Sequence, residues 1–522
     1  MRVVGDVVAG LALAGAFVAQ MLRWLRVLQR EHYEPNSMSR FLGRWSTPQV
    51  GSAKLSPRLG SKRPITLSHA LVVALVVTVV VHLDGAVICV AVLYGLFCPW
   101  GLSLKGRTGE LQWTRRLTTV AVVATVGSLA VAVLGAFTVR PWLAGVAMVW
   151  AVPVTLDVTT RVLGPYEHRR AQKFVDRAVA RLESVAPRVV AITGSYGKTT
   201  TKNHLLDLLR SDGGVVSSPR SFNNRAGLSR AINENLADGT RIFIAEMGTY
   251  GPGEIRDLCA WCVPEIAVVT AIGPVHLERM KTLAVIEAAK FEITEKATTV
   301  VVNIDDLRLA RWPERLTPLG KLVRTVGSTN ESASVRVVVS GDHWIIIIDR
   351  VEQGAIQPLV GVQPTNLACA IGAALELGVP ATDLIARAQH VSTVANRLNV
   401  VTAPSGVVVI DDTFNSNPAS ALAALATLTK VALTGQRVVV TPGMIELGPE
   451  QYRENLSFAQ KVAFADVELL IVGRTNVKSL EAGFGRPARR FDTLDAAVAW
   501  VRSTLVRGDG VLYLNDLPDH YP

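Results

Sequence analysis

Five apolar runs crowd into the first 165 residues, and no other feature of the chain limits its fold so sharply. They cover residues 3–22, 67–83, 85–100, 117–137 and 142–163. A membrane-crossing helix needs about 20 apolar residues, so the pattern predicts an α-helical membrane domain over 1–165. Residues 67–100 are split by Asp84-Gly85 and read as a tight helical hairpin, with one long span as the alternative. A cleaved signal peptide fits the first run poorly, since it lacks a basic leader and a small-residue cleavage site.

The formal charge of +11 supports the same reading. Nine Arg/Lys against two Glu fall between Arg23 and Arg63, and four against one between Lys105 and Arg116. Basic stretches set between apolar runs mark cytoplasmic membrane loops, so nucleic acid is not an expected partner. The expected topology has the amino terminus outside, both basic loops inside, and everything after about residue 165 in the cytoplasm. That makes a multi-pass inner (plasma) membrane protein in contact with the lipid bilayer. Charges inside the runs are few, which argues against a transport path. Five scattered cysteines exclude a disulfide-built secreted fold, and Cys259-x-x-Cys262 has no second half for a zinc ribbon.

A polar, helix-favouring stretch at 166–185 is expected to act as a linker helix. Beyond it, the β-branched run Val189–Thr193 leads into Gly194-Ser195-Tyr196-Gly197-Lys198-Thr199-Thr200, followed by helically spaced TKNHLLDLLR. Strand, glycine turn and helix form the setting of a phosphate loop, where backbone N–H groups face an anion. Lys198 is placed to reach outer phosphates and Thr199 to offer its hydroxyl to Mg2+. Further strands end in Glu246, precede His276, and lead to Asn303 and Asp305. Taken singly, Glu246 reads as a surface strand end, His276 as a structural histidine and Lys290 as a solvated helix residue. Strands alternating with helices predict a mostly parallel sheet with ligands at its carboxyl edge.

The ordered motifs change that reading. TGSYGKTTTK, SFNNRAGL (221–228), AEMGTYGPGEI (245–255), PVHLE (274–278), EAAKFEI (287–293), VVNIDD, ANRL at 395–398, DDTFNSNP (411–418) and GMIELG (443–448) follow one another in register. From about Val189 to about Val472 the chain resembles the Mur ligase family, within it the branch that adds D-alanyl-D-alanine to a UDP-muramoyl tripeptide. The resemblance implies a central P-loop ATPase-like α/β domain over 186–390 and a smaller α/β domain over 391–522. It implies an ATP-dependent ligase that joins a carboxylate to an amine through an acyl phosphate. Gly194 to Thr200 would hold the nucleotide, with Lys198 on its phosphates. Thr199, Glu246, His276 and Lys290 would hold Mg2+ (two ions), Lys290 as a carbamate. Asn303 would meet adenine, Arg397, Asp411 and Asn415 would approach ATP from the carboxyl-terminal domain, and Asn223 and Asn224 would face substrate.

Three departures shape the expected partners. Residues 1–165 hold no counterpart of the family's UDP-gripping domain, the segment GVQPTN before Asn366 lacks a histidine, and the chain closes with LNDLPDHYP in place of a basic segment. The expected acceptor is a lipid-linked or peptide carboxylate, joined to an amino-acid or peptide amine, with an oligomer or partner protein allowed. A polyglutamate-synthase-like ligase and a non-catalytic nucleotide-binding membrane scaffold are the alternatives.

Overall fold

The computed structural model describes residues 2–31, 33, 36–46, 84–98, 102, 111–138, 141–219, 222–359, 361–392, 398–413 and 416–515. The expected span 67–83, most of the basic stretches, Arg397, Asn415 and the final residues 516–522 lie outside them.

The amino-terminal region consists of helices α1 (Arg2–Arg30), α2 (Ser37–Ser46), α3 (Asp84–Phe97), α4 (Arg115–Thr138) and α5 (Pro141–Val185). Among the described residues, three helices are long and apolar enough to cross a membrane: Val7–Arg30, Arg115–Leu134 and Leu143–Val185. Gly85–Phe97 is apolar but shorter. It stops where polar side chains of α1 take its last carbonyls: Arg23 Nη1 donates to Gly95 at 2.7 Å, and Gln20 Nε2 to Cys98 at 2.5 Å. These bonds satisfy groups that a helix end leaves unpaired. The first apolar run therefore continues as helix to Arg30, with Trp24, Leu25 and Leu28 buried between Arg23, Arg26 and Arg30.

Asp157, in the fifth run, has a local task. Its carboxylate accepts from the backbone N–H of Met38 and of Ser39, each at 3.3 Å, and so caps the start of α2. The fifth span and the linker expected at 166–185 form one helix of 45 residues that includes Pro153 and Pro165. It continues because its tail is held by tertiary contacts. Ala178 is buried with Leu228, Ile232 and Leu236 of the next domain, and Arg181 Nε donates to the Leu236 carbonyl at 2.8 Å.

The central domain is built on a nine-stranded sheet. Its strands are β1 (Arg188–Thr193), β2 (Val215–Ser217), β3 (Ile242–Glu246), β4 (Ile266–Val269), β5 (Thr299–Asn303), β6 (Leu322–Gly327), β7 (Val335–Ser340), β8 (His343–Ile348) and β9 (Val351–Ile356). They lie in the order β2-β3-β1-β4-β5-β6-β7-β8-β9. Pairings from β2 through β7 are parallel, and β8 and β9 close the far edge antiparallel. Strands β4 and β5 are buried along their whole length, the signature of parallel strands covered on both faces. Each fully buried Val or Ile contributes about 1.5–3 kcal/mol. The chain leaves β1 toward β3 on one side and β4 on the other, and such a reversal opens a crevice at the strand carboxyl ends.

The carboxyl-terminal domain has a six-stranded sheet ordered β10-β11-β15-β12-β13-β14. These are β10 (Asn399–Thr402), β11 (Val408–Asp412), β12 (Arg437–Thr441), β13 (Glu468–Val472), β14 (Arg489–Phe491) and β15 (Gly510–Leu514). Only β10 is antiparallel to its neighbour.

Candidate active site

The loop after β1 turns straight into helix α6 (Lys198–Leu209). Gly197 caps that helix at φ 78°, a left-handed conformation, and a Cβ there would collide with the Asn366 side chain. Only glycine meets both demands. The loop is clasped to the segment after β4: Ser195 N–H donates to the Ala271 carbonyl at 2.7 Å, and Gly273 N–H to Ser195 Oγ at 2.9 Å. Lys198 Nζ donates to the Gly194 carbonyl at 2.7 Å, curled over its own loop.

A cavity of about 290 Å³ opens at this carboxyl edge. Gly194 through Thr199, Asn223, Asn224, Glu246, His276 and Lys290 all line it, so residues from five separate motifs converge on one space. Thr200 follows inside α6. Glu246 ends β3 and is 1% exposed. Its Oε1 accepts from Asn223 Nδ2 at 3.0 Å, and its Oε2 lies 3.3 Å from Lys202 Nζ, itself 1% exposed. Asn224 caps helix α7 (Arg225–Asn235) by accepting from Gly227 N–H at 2.9 Å. Lys290, in the helix Leu283–Phe291, is buried, and desolvation together with the nearby charge of Lys198 pushes its ammonium pKa far down.

His276 stands at φ 58°, just before the short helix Leu277–Met280. Its Nδ1 lies 2.6 Å from Glu446 Oε2 of the carboxyl-terminal domain, and Tyr250 meets its ring edge-on at 4.7 Å. Glu446 is carried on a loop fixed by buried amides. Asn455 Oδ1 accepts from Met444 N–H at 2.7 Å, Asn476 Nδ2 donates to the Pro442 carbonyl at 2.9 Å, and Asn515 Nδ2 to that of Gly443 at 2.7 Å. Ser416, Asn417, Ile445 and Leu447 complete the far wall.

Two sequence-derived candidates sit elsewhere. Asn303 is buried and braces β5 against β4, its Nδ2 donating to the Thr270 carbonyl at 2.7 Å. Asp411 accepts from Thr413 Oγ1 at 2.7 Å near the edge of the second sheet. Neither lines the cavity. Lys202, Tyr250 and Glu446 are the residues sequence reasoning left without a role. Lys202 is one helical turn beyond Lys198, and Glu446 lies inside GMIELG, so both carried a signal.

The donor set suits a hard cation. Among the described residues no three His, Cys, Asp or Glu side chains form a ready-made cage. Mg2+ fits such a site, since it binds one or two protein carboxylates and completes its shell with water and phosphate oxygens.

The Mur ligase middle domain matches residues 192–374, and the Mur ligase glutamate ligase domain matches 396–514. The UDP-N-acetylmuramoyl-tripeptide–D-alanyl-D-alanine ligase of Mycobacterium tuberculosis is 29% identical over 390 residues, covering 65% of this chain and 72% of its own. That of Bacillus subtilis is 29% identical over 274 residues, 52% of this chain and 59% of its own. In fold, MurF from Acinetobacter baumannii matches with a TM-score of 0.58 at 22% identity, over 66% of this chain and 77% of its own. The MurF ligase from Thermotoga maritima in complex with ADP matches at 0.56 and 24% identity, over 66% and 80%. With its middle and carboxyl-terminal domains both matched, the chain belongs to the Mur ligase family of ATP-dependent, amide-bond-forming ligases.

Proposed function

We propose that this protein is a bilayer-embedded ligase of cell-envelope synthesis, joining an amine to the carboxylate of a lipid-linked or peptide acceptor at the cost of ATP. The observation that carries this reading is the convergence of Lys198, Glu246, His276 and Lys290 on one cavity, closed from the opposite side by Glu446. Exposed apolar side chains on the helices support the bilayer: Val122, Val126, Leu129 and Leu134 on α4, and Val154, Val158 and Val162 on α5. An outward apolar surface of that extent needs a nonaqueous cover. The domains divide at about 165, 186 and 390, with the ligase part in the cytoplasm.

In the reaction, a carboxylate oxygen of the acceptor attacks the γ-phosphorus, the bond to the β–γ bridging oxygen breaks, and ADP leaves. The amine nitrogen then attacks the acyl carbon, phosphate departs, and the nitrogen loses a proton. The glycine loop and the amino end of α6 bind phosphate oxygens, and Lys198 leaves the Gly194 carbonyl to meet the charge that develops there. Thr199, Glu246, His276 and Lys290 (as a carbamate) would hold Mg2+, which supplies charge neutralisation for the converging anions. Asn223 fixes the Glu246 carboxylate. Contacts from the carboxyl-terminal domain, Asp411 and Asn417 among them, complete the site on closure and exclude water.

The test is turnover by the full chain in detergent or bilayer discs with ATP and Mg2+. Nucleotide-linked and lipid-linked muropeptide carboxylates are offered with D-alanyl-D-alanine and single amino acids. ADP release that needs both acid and amine, and is faster with the lipid-linked acid, is expected. Absence of paired turnover across the panel overturns the ligase reading; efficient turnover of soluble UDP-muramoyl tripeptide without lipid overturns the acceptor.

A further inference from the structure

The carboxyl-terminal end of α1 reaches the cavity wall. Glu31 follows α1 directly and is only 3% exposed. Its Oε2 lies 3.4 Å from Arg279 Nη2, linking positions 248 residues apart. Arg279 belongs to the four-residue helix Leu277–Met280 that starts directly after His276. Its guanidinium sits over the ring of Tyr250, 4.8 Å from the centroid, and that ring meets His276 edge-on. Tyr250, His276 and Met280 are all cavity residues.

The backbone around them is strained. His276 at φ 58° and Lys281 at φ 66° flank this helix in left-handed conformations, which non-glycine residues keep only where the surroundings over-determine them. A buried carboxylate is equally demanding, since it is costly unless a cation answers it. Both demands meet at Arg279. The carboxylate fixes the guanidinium, the guanidinium fixes the ring, and the ring borders the imidazole.

We propose that Glu31 is a positioning residue for the ligase cavity: acting through Arg279, it sets the placement of His276, so the amino-terminal helices form part of the working site. The inference draws on the reading of His276 as a cation ligand, but its first readout stands apart from that reading.

Glu31→Gln, Arg279→Gln and the double variant are made in the full chain and purified in detergent. Hydrogen exchange of the amides at 273–282 is measured first, with α7 as the internal control. Each single variant is expected to accelerate exchange at 273–282 at least about tenfold while α7 stays within about twofold, and the double variant to match the weaker single. Mn2+ binding to the ADP complex, followed by electron paramagnetic resonance, should weaken about tenfold, with ADP affinity in EDTA held within about twofold. Arg279→Lys should recover part of both losses. Exchange at 273–282 close to wild type in both singles, or a double variant whose loss is the product of the two, overturns the proposal. If Glu31→Gln does not fold, Arg279→Gln and Arg279→Lys decide it, because they leave the helices untouched. If the variants show these shifts while the wild-type chain turns over no acid and amine pair, the ligase reading alone is overturned. Turnover without the shifts overturns the positioning alone.

Discussion

His276 and Glu446 stand 2.6 Å apart, nitrogen to oxygen, across the boundary between the two α/β domains. The histidine is anchored by the segment after β4, the glutamate by the amide-locked loop after β12. Their contact therefore reports how closely the domains meet over the nucleotide loop. Glu446→Ala is expected to lower kcat at least about a hundredfold while ATP affinity changes by less than about threefold, because the glycine loop proposed to grip phosphate lies wholly in the central domain. Stopped-flow nucleotide binding beside steady-state turnover checks the split. Equal losses in both would mean that Glu446 serves the nucleotide instead.

Burial and the neighbouring charge of Lys198 push the pKa of Lys290 well below the ordinary lysine range. A lysine whose pKa falls on folding destabilises the folded state below that lowered value, and the penalty fades as pH rises toward the ordinary lysine range. Lys290→Met should abolish turnover yet raise the unfolding temperature at neutral pH, the gain shrinking as the solution becomes alkaline. Scanning calorimetry between pH 7 and alkaline conditions, with wild type alongside, tests the sign.

The buried pair Lys202–Glu246 has both side chains withdrawn from water. Removing one partner leaves an unanswered charge, which costs about 3–5 kcal/mol, whereas removing both costs far less. Lys202→Met should therefore lower the unfolding temperature of the full chain sharply, and Lys202→Met combined with Glu246→Gln should recover most of the loss. A double variant no better than the single would show that the pair is not coupled.

His204, on the buried face of α6, finds no hydrogen-bond partner for either ring nitrogen, and desolvation holds its pKa down to about 4. Its folded value is depressed, so the stability it carries is complete above the unfolded value and declines as pH falls toward 4. The decline amounts to about 3 kcal/mol. His204→Leu should flatten the fall of the unfolding temperature between neutral pH and about 4.5, since leucine never has to charge. Thermal unfolding in matched-salt buffers settles it.

Much of the site was legible because each chemical residue trails a strand, and parallel strands deliver their carboxyl ends to one edge. That rule alone brings Lys198, Glu246 and His276 together. Lys290 needed the motif order, since burial of a helical lysine leaves no trace in spacing. Glu446 escaped because its partner lies in another domain, and no local pattern encodes a contact over 170 positions. Asn303 was expected at adenine from the family resemblance, and in the structure its Nδ2 donates to the Thr270 carbonyl. In the amino-terminal part α1, α3, α4 and α5 cover four of the five apolar runs, and the run 67–83 lies outside the described residues. Where they end was less visible. Gly164-Pro165 suggests a break, but Pro165 removes only one helical hydrogen bond, and packing of the tail on Leu228 and Ile232 holds the helix straight through.

That unbroken α5 acts as a ruler. Forty-five residues at a rise of about 1.5 Å each span about 68 Å, roughly half of it beyond the apolar section. With its apolar section embedded as proposed, the far half of this helix sets how far the crevice stands from the lipid heads. The proposed lipid-linked acceptor would then need a carrier long enough to bridge that distance.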